Sequence, residues 1–303
     1  MKILVVGLGL IGGSLCKAFK TYTKHFIMGC DNNPTVTRQA IELNSIDKVA
    51  AEDDFKDADI TIICLHPDVA RTFIESNISK FAKGSILCDV CGIKGKFTED
   101  MSKLSAEHGI KYVGTHPMAG KEHFGFEYSD SELFINANFI VTPLEDTDRT
   151  AVNTVIELMK SVGFGKIVET SPYQHDRMIA YTSQLAHIVS SSYVKSPSIK
   201  TENGFSGGSF QDMTRVATMN ESMWANLFLA NKDCLLEELD NLISNLTDYR
   251  NALAEENKPE LISLIRDGRE IKEQNLRERL NNCLLYTSPS PRDISGSRMP
   301  SSA

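Results

Sequence analysis

Three places along the 303-residue chain carry residue types that could do chemistry. The first is Thr115-His116-Pro117-Met118-Ala119-Gly120-Lys121-Glu122, directly after the run Lys111-Tyr112-Val113-Gly114. That run reads as a strand, so His116 falls at a carboxyl end, where open parallel sheets gather their ligands. A neutral imidazole there could accept a proton from a substrate hydroxyl while hydride leaves the same carbon. The alternative is a histidine that only bonds the loop backbone; Pro117, Gly120 and Glu122 beside it favour catalysis. The second place is Gly204-Phe205-Ser206-Gly207-Gly208-Ser209-Phe210-Gln211-Asp212-Met213-Thr214-Arg215, where Arg215 offers a planar fork suited to a carboxylate. Taken alone, it reads as a flexible loop with a solvated arginine. The third is a helical segment carrying His175, Ser183 and His187. Ser183 and His187 are four apart and share a face, and a core histidine with a hydroxyl partner is the commoner reading of such a pair.

The element that would position this chemistry is at the N-terminus. Lys2-Ile3-Leu4-Val5-Val6 runs into Gly7-Leu8-Gly9-Leu10-Ile11-Gly12-Gly13-Ser14, an apolar strand, a G-x-G-x-x-G turn and a helix start. Gly7 makes the bend, Gly9 lets backbone approach a pyrophosphate, and Gly12 lets helix and strand pack closely. The first N–H groups of the helix, from about Leu10 and Ile11, then face the phosphates. A second apolar run, Phe26-Ile27-Met28-Gly29-Cys30, ends in Asp31, nineteen residues beyond Gly12, where an acid would bond an adenosine ribose. A carboxylate there repels a 2′-phosphate, and Asn32 and Asn33 supply no arginine for one, so NAD is expected over NADP.

The pattern after Asp31 keeps alternating. Strands are predicted at 59–65, 84–90, 111–114, 138–142 and 167–170, with helices at 69–79, 96–107 and 148–162. Short apolar runs between helices indicate a parallel sheet covered on both faces. The fold class is therefore α/β: an N-terminal Rossmann-type doubly wound sheet (1–170) followed by an all-α C-terminal domain (171–283). Ser171-Pro172 opens the helical part in N-cap and first-turn positions. Helical periodicity runs from Gln174 to Val194, from about Ser222 to about Glu256, and from Leu261 to Leu280. Leu235, Leu239, Leu242, Leu246, Tyr249 and Leu253 recur at steps of four and three. Such a seam faces another helix, either within the subunit or across a dimer. The Ser/Pro-rich end, 284–303, has no apolar period and is expected to be disordered. It resembles translated adaptor or vector sequence on a truncated frame and is set aside from function.

The net charge of −8 argues against a nucleic-acid or anionic-membrane surface. No stretch has the apolar length of a membrane span, and Met1-Lys2 leads straight into a core strand rather than a signal peptide. Of seven cysteines, Cys16, Cys30, Cys64 and Cys88 sit in apolar or helical runs, the pattern of reduced, buried thiols and a cytoplasmic setting. Cys88 and Cys91 form a C-x-x-C without a second pair, so no metal is expected.

From Met1 to roughly Glu256 these motifs resemble the prephenate dehydrogenase family, which makes the tyrosine precursor 4-hydroxyphenylpyruvate. The resemblance rests on the glycine turn at 7–14, Asp89-Val90-Cys91-Gly92-Ile93-Lys94, His116-Pro117-Met118-Ala119-Gly120, Ser183-Gln184-Leu185-Ala186-His187 and Gly207 through Arg215. It implies NAD as cofactor, prephenate or its transaminated relative arogenate as substrate, and a homodimer through the helical domain. It also implies that His116 is catalytic, that Arg215 binds a substrate carboxylate, that His187 and Ser183 line the pocket, and that Glu122 lies at its mouth. Two positions depart from the pattern. Some members have a serine at Gly92 that bonds the catalytic histidine, which leaves water or a backbone group to orient His116. Some have a histidine at Gln184, so that substrate contact becomes an amide at best. The rival readings are a β-hydroxyacid or imine-reducing dehydrogenase, which would want a catalytic lysine, and a dinucleotide-sensing protein without turnover.

Overall fold

Residues 1–121 and 123–287 are described by a computed structural model. Strands β1 (Lys2–Val6), β2 (Phe26–Cys30), β3 (Lys48–Val49), β4 (Ile60–Ile63), β5 (Ile86–Asp89) and β6 (Lys111–Val113) form one sheet in the order β3-β2-β1-β4-β5-β6. Every pairing in it is parallel. Helices α1 (Leu10–Tyr22), α2 (Pro34–Glu42), α3 (Pro67–Asn77) and α4 (Gly95–Glu107) form the helical crossovers. Alternation along β1 explains why both faces are covered. Ile3 and Val5 join one apolar cluster with Leu15, Phe19, Ile27 and Ile62, whereas Leu4 and Val6 join a second with Met28, Phe55, Ile74 and Leu87. Burial of such side chains contributes about 1.5–3 kcal/mol each, which fixes the sheet that positions the turn loops.

The sequence predicts that strands 138–142 and 167–170 extend the parallel sheet and that His116 sits in a loop. Both expectations need correction. Thr115–Met118 is itself a strand, β7, which pairs antiparallel with β8 (Asn138–Val141), and β8 pairs parallel with β9 (Lys166–Glu169) in a separate three-stranded sheet. Gly114 is the joint between the sheets: a Cβ there would stand 2.6 Å from Thr142 Oγ1. Pro117 is accommodated because β7 is an edge strand. Helix α5 (Arg149–Lys160) lies between β8 and β9 in sequence, and Asp148 Oδ1 caps it by accepting from the Ala151 N–H at 2.9 Å.

Helix α6 (Pro172–Ile179) starts as read, with Ser171 Oγ accepting from the Gln174 N–H at 3.2 Å. A π-helical turn at Ala180–Gln184 then leads into α7 (Leu185–Tyr193). Helices α8 (Gly208–Thr214) and α9 (Glu221–Ala230) follow. The single helix expected from Ser222 to Glu256 is instead two, because the chain breaks at Asn231 before α10 (Lys232–Ala254). Buried Asn231 donates through Nδ2 to Asp176 O at 2.9 Å and to Gln184 Oε1 at 2.7 Å, satisfying an amide that would otherwise be stranded. Helix α11 (Lys258–Thr287) is longer than predicted and runs past the expected start of the tail at 284. Residues 288–303 lie outside the described residues, as does Glu122.

The chain forms two compact units that divide after Glu238. The unit Met1–Glu238 holds both sheets and α1–α9. The unit beginning at Leu239 holds most of α10 and all of α11, and Ile243, Leu246, Leu253, Ile262, Ile265 and Ile271 are exposed on it. Of the predicted seam, Leu235 is buried within the first unit. Among the described residues no helix is long and apolar enough to cross a membrane.

Candidate active site

The glycine turn has the shape that a pyrophosphate requires. Gly7 has φ +87°, a conformation that suits glycine. A Cβ on Gly12 would overlap Gly7 O, so the third glycine lets α1 sit against β1. A Cβ on Gly9 would meet nothing within 4 Å, so the second glycine borders open space at the head of α1. Leu10 and Ile11 are the first two residues of α1, so their N–H groups have no partner within the helix. Asp31 follows β2, its Oδ2 accepting from the Leu8 N–H and its Oδ1 from the Asn33 N–H, both at 2.8 Å. Those bonds aim the carboxylate and leave each oxygen a lone pair for a ribose hydroxyl. The residues present thus fit a dinucleotide. The end of β4 borders the same turn, since a Cβ on Gly7 would stand 2.5 Å from Cys64 O. Strands β1 and β4 are the pair at which the sheet order reverses.

A cleft of about 770 Å³ lies at the other half of the site. It brings together four of the residues picked out in the sequence, His116, Ser183, His187 and Arg215, with Lys121 and Trp224 added. His116 reaches it from β7, Ser183 from the π-helical turn, His187 from α7 and Arg215 from the turn after α8. His116 also adjoins the segment after β5, because a Cβ on Gly92 would stand 3.7 Å from His116 Nε2. His187 Nδ1 bonds Ser183 O at 2.9 Å. A carbonyl only accepts, so His187 Nδ1 carries the hydrogen and Nε2 keeps the lone pair. Its ring stacks on Trp224, 3.8 Å between centroids. Partial burial pushes the His187 imidazole below the ordinary histidine range, and Arg215 adds to the shift. His187 is thus not a silent core histidine.

The ring of His116 is bonded by another side chain. Its Nδ1 lies 2.9 Å from His175 Nε2, and His175 Nδ1 lies 2.7 Å from Asp176 Oδ1. Asp176 Oδ1 also accepts from the Lys94 N–H at 2.8 Å, at the N-terminus of α4. Lys94 is itself fully buried, with Nζ on Asp89 Oδ1, and Tyr112 Oη donates to Asp89 Oδ2 at 2.6 Å. The Asp89-to-Lys94 segment therefore backs the histidines. Burial drives the His116 pKa well below the ordinary value, with His175 and Lys94 adding to the shift, and burial also lowers His175. Both rings are neutral near pH 7.

Three features of the site escape the sequence. Trp224 is hidden because a lone tryptophan on an apolar helix looks like core. Lys121 sits in the block after His116 with nothing to assign it a role. Gln184 is expected in the pocket but is buried away from it, with Nε2 donating to Leu227 O at 3.1 Å and Oε1 accepting from Asn231. Among the described residues no cluster of metal-ligating side chains occurs.

A doubly wound sheet with an open glycine turn, beside a cleft holding a neutral histidine and an arginine, defines a dinucleotide-dependent oxidoreductase with a helical second half. The prephenate dehydrogenase nucleotide-binding domain matches residues 15–169, and the prephenate dehydrogenase dimerization domain matches residues 171–267. A prephenate dehydrogenase of Bacillus subtilis (strain 168) is 30% identical over 284 residues, covering 89% of this chain and 75% of that protein. The crystal structure of Synechocystis arogenate dehydrogenase superposes with TM-score 0.79 at 26% identity, over 91% of this chain and 100% of that one. Prephenate dehydrogenase from A. aeolicus in complex with hydroxyphenyl propionate and NAD+ gives TM-score 0.78 at 27% identity, over 91% and 98%. The chain belongs to the prephenate dehydrogenase family.

Proposed function

We propose that the chain catalyses the NAD+-dependent oxidative decarboxylation of prephenate to 4-hydroxyphenylpyruvate, a step toward tyrosine, in the cytoplasm. The observation that carries the reading is the meeting of His116 and Arg215 on one cleft in a chain of this family. Gly7, Gly9, Leu10, Ile11 and Gly12 would cradle the pyrophosphate, and Asp31 would hold the adenosine ribose. When bound, NAD+ supplies the acceptor for the hydride that leaves the substrate's C4.

The substrate ring bears a carboxylate and, at C4, a hydroxyl. His116 Nε2 accepts a hydrogen bond from that hydroxyl, raising electron density on the oxygen as the C4–H bond breaks. The ring carboxylate then leaves as carbon dioxide and its bonding pair completes the aromatic ring. The proton stays with the oxygen that becomes the phenol, so His116 polarises and steers without net protonation. Arg215 pairs with a carboxylate and sets which ring face meets the cofactor. Ser183 and His187 offer polar contacts to the other end of the substrate.

Arogenate, which carries an amino group where prephenate has a keto group, is the second reading, favoured by the likeness to an arogenate dehydrogenase. Ile243, Leu246, Leu253, Ile262 and Ile265, exposed on α10 and α11 within the match to a dimerization domain, support a homodimer through the helical part. The assay is absorbance at 340 nm with NAD+ and either substrate. Formation of NADH with prephenate is expected, and kcat/KM for the two substrates ranks the readings. No NADH with either sinks the proposal.

A further inference from the structure

We infer that His175 and Asp176 act as a positioning dyad that holds His116 in the one tautomer able to accept the substrate's hydrogen bond. The inference rests on the proposed role of His116 as acceptor. A chain of obligate donors and acceptors leads to it. Asp176 Oδ1 can only accept, so His175 Nδ1, 2.7 Å away, carries the hydrogen. Neutral His175 then has its lone pair at Nε2. That atom lies 2.9 Å from His116 Nδ1, which must therefore be the N–H partner. The lone pair of His116 is left at Nε2, next to Gly92, which has no side chain to compete for it. The other tautomer of His116 would set two lone pairs against each other and present an N–H to the substrate hydroxyl.

The dyad is built into the fold on both sides. His175 is 2% and Asp176 6% exposed. Asp176 Oδ1 accepts from the Lys94 N–H where α4 begins, and the Asp176 carbonyl accepts from Asn231 Nδ2. Gly95 is required at the contact, because a Cβ there would stand 2.8 Å from Asp176 Oδ2. The charged groups facing the two rings are Asp176 from α6, Lys94 at the head of α4 and Asp89 from β5. Lys94 opposes protonation of both imidazoles, which keeps the donor–acceptor order intact at neutral pH.

The test reads the tautomer and the kinetics separately. In the full chain with 15N-labelled histidine, long-range 1H–15N spectra at pH 7.5 report which ring nitrogen of His116 carries hydrogen, with His116→Asn giving the assignment. Wild type is expected as Nδ1–H, His175→Ala as a mixture or as Nε2–H, and His175→Gln, whose amide oxygen can still accept, as Nδ1–H. In turnover, His175→Ala should lower kcat roughly 10–100-fold with KM for prephenate changed less than about 3-fold, and His175→Gln should recover most of the loss. If His175→Ala does not fold, His175→Gln and Asp176→Asn decide. Gln must keep Nδ1–H, and Asn, which keeps an accepting oxygen but loses the charge, must be impaired less than about 10-fold. An unchanged His116 tautomer in His175→Ala, or equal kcat in the Ala and Gln variants, overturns the dyad. A wild-type protein silent on prephenate but with the expected spectra would sink the proposed reaction and leave the dyad standing.

Discussion

The backbone N–H of Lys94 donates to Asp176 Oδ1 across 2.8 Å, so one carboxylate ties the crossover after β5 to the helix that carries His175. The bond places a negative charge at the head of α4, where the helix dipole favours it. The same helix α6 brings His175 Nε2 to 2.9 Å from Nδ1 of His116 on β7.

Removal of the acceptor and removal of the clamp should separate kinetically. His116→Asn is expected to lower kcat by about 10²–10⁴ with little change in KM, since its bond strengthens only as charge develops on oxygen. Arg215→Ala deletes a charge-assisted pair made in ground and transition states alike. It should chiefly raise KM, by roughly 10–100-fold, the equivalent of about 1.5–3 kcal/mol. Steady-state kinetics on both variants checks the split, and near-normal turnover in His116→Asn would remove it from the mechanism.

Asp31 should decide the dinucleotide. Its carboxylate is already aimed by the Leu8 and Asn33 N–H groups, so it meets a free 2′-hydroxyl at little further ordering cost. Wild type is expected to prefer NAD+ strongly over NADP+. Asp31→Ala should raise KM for NAD+ roughly 10-fold or more and narrow the preference, because the repulsion of a 2′-phosphate goes with the charge. Equal kcat/KM for the two cofactors in wild type would refute this placement.

The Lys94–Asp89 pair makes a stability prediction. Both side chains are fully buried, and Asp89 also accepts from Tyr112 Oη. Lys94→Met leaves the buried Asp89 carboxylate with no countercharge and only two neutral donors, the Tyr112 hydroxyl and the Cys91 N–H. The expected loss is about 3–5 kcal/mol in chemical unfolding, as when one partner of a buried pair is removed. Replacing both residues with apolar ones should cost less than Lys94→Met alone, and a double-mutant cycle measures the difference.

Much of this architecture is legible in the residues alone. The G-x-G-x-x-G turn, the acid after β2 and the alternation of apolar runs are local patterns, set by backbone sterics and burial, and they define the doubly wound sheet. The His116 block stands out by its place at the carboxyl end of a strand, whereas Arg215 reads alone as a solvated arginine and is singled out only by the family resemblance. What stays hidden is non-local. Nothing in the residues around Gly114 announces that the chain leaves one sheet for another, since β8 pairs with β7 from more than 20 residues away and the space a Cβ on Gly114 would need is taken by Thr142, 28 residues on. His175 looks like a core histidine because its partners, His116 and, through Asp176, the Lys94 N–H, come from distant segments. Asn231 looks like an ordinary position in a long helix until the buried amide network with Gln184 and Asp176 explains the break.

The same histidine pair should make stability depend on pH, together with His187 and His25. Burial lowers the folded-state pKa of all four below the ordinary value of 6.5. Between the two values the unfolded chain binds protons that the folded chain refuses, so stability is fully present above about pH 6.5 and is lost as pH falls. Each histidine contributes a slope of up to about 1.4 kcal/mol per pH unit there. The carboxylates held low by their partners, Asp47, Asp130 and Glu169 among them, act only as pH falls through their own lower range, so they leave this window to the histidines. Urea midpoints measured from about pH 7.5 to 5 should therefore decline in wild type. His116→Asn, which cannot titrate, should flatten the decline by up to one histidine's share. A midpoint independent of pH across that range would mean that these rings take up protons in the folded protein as readily as in water.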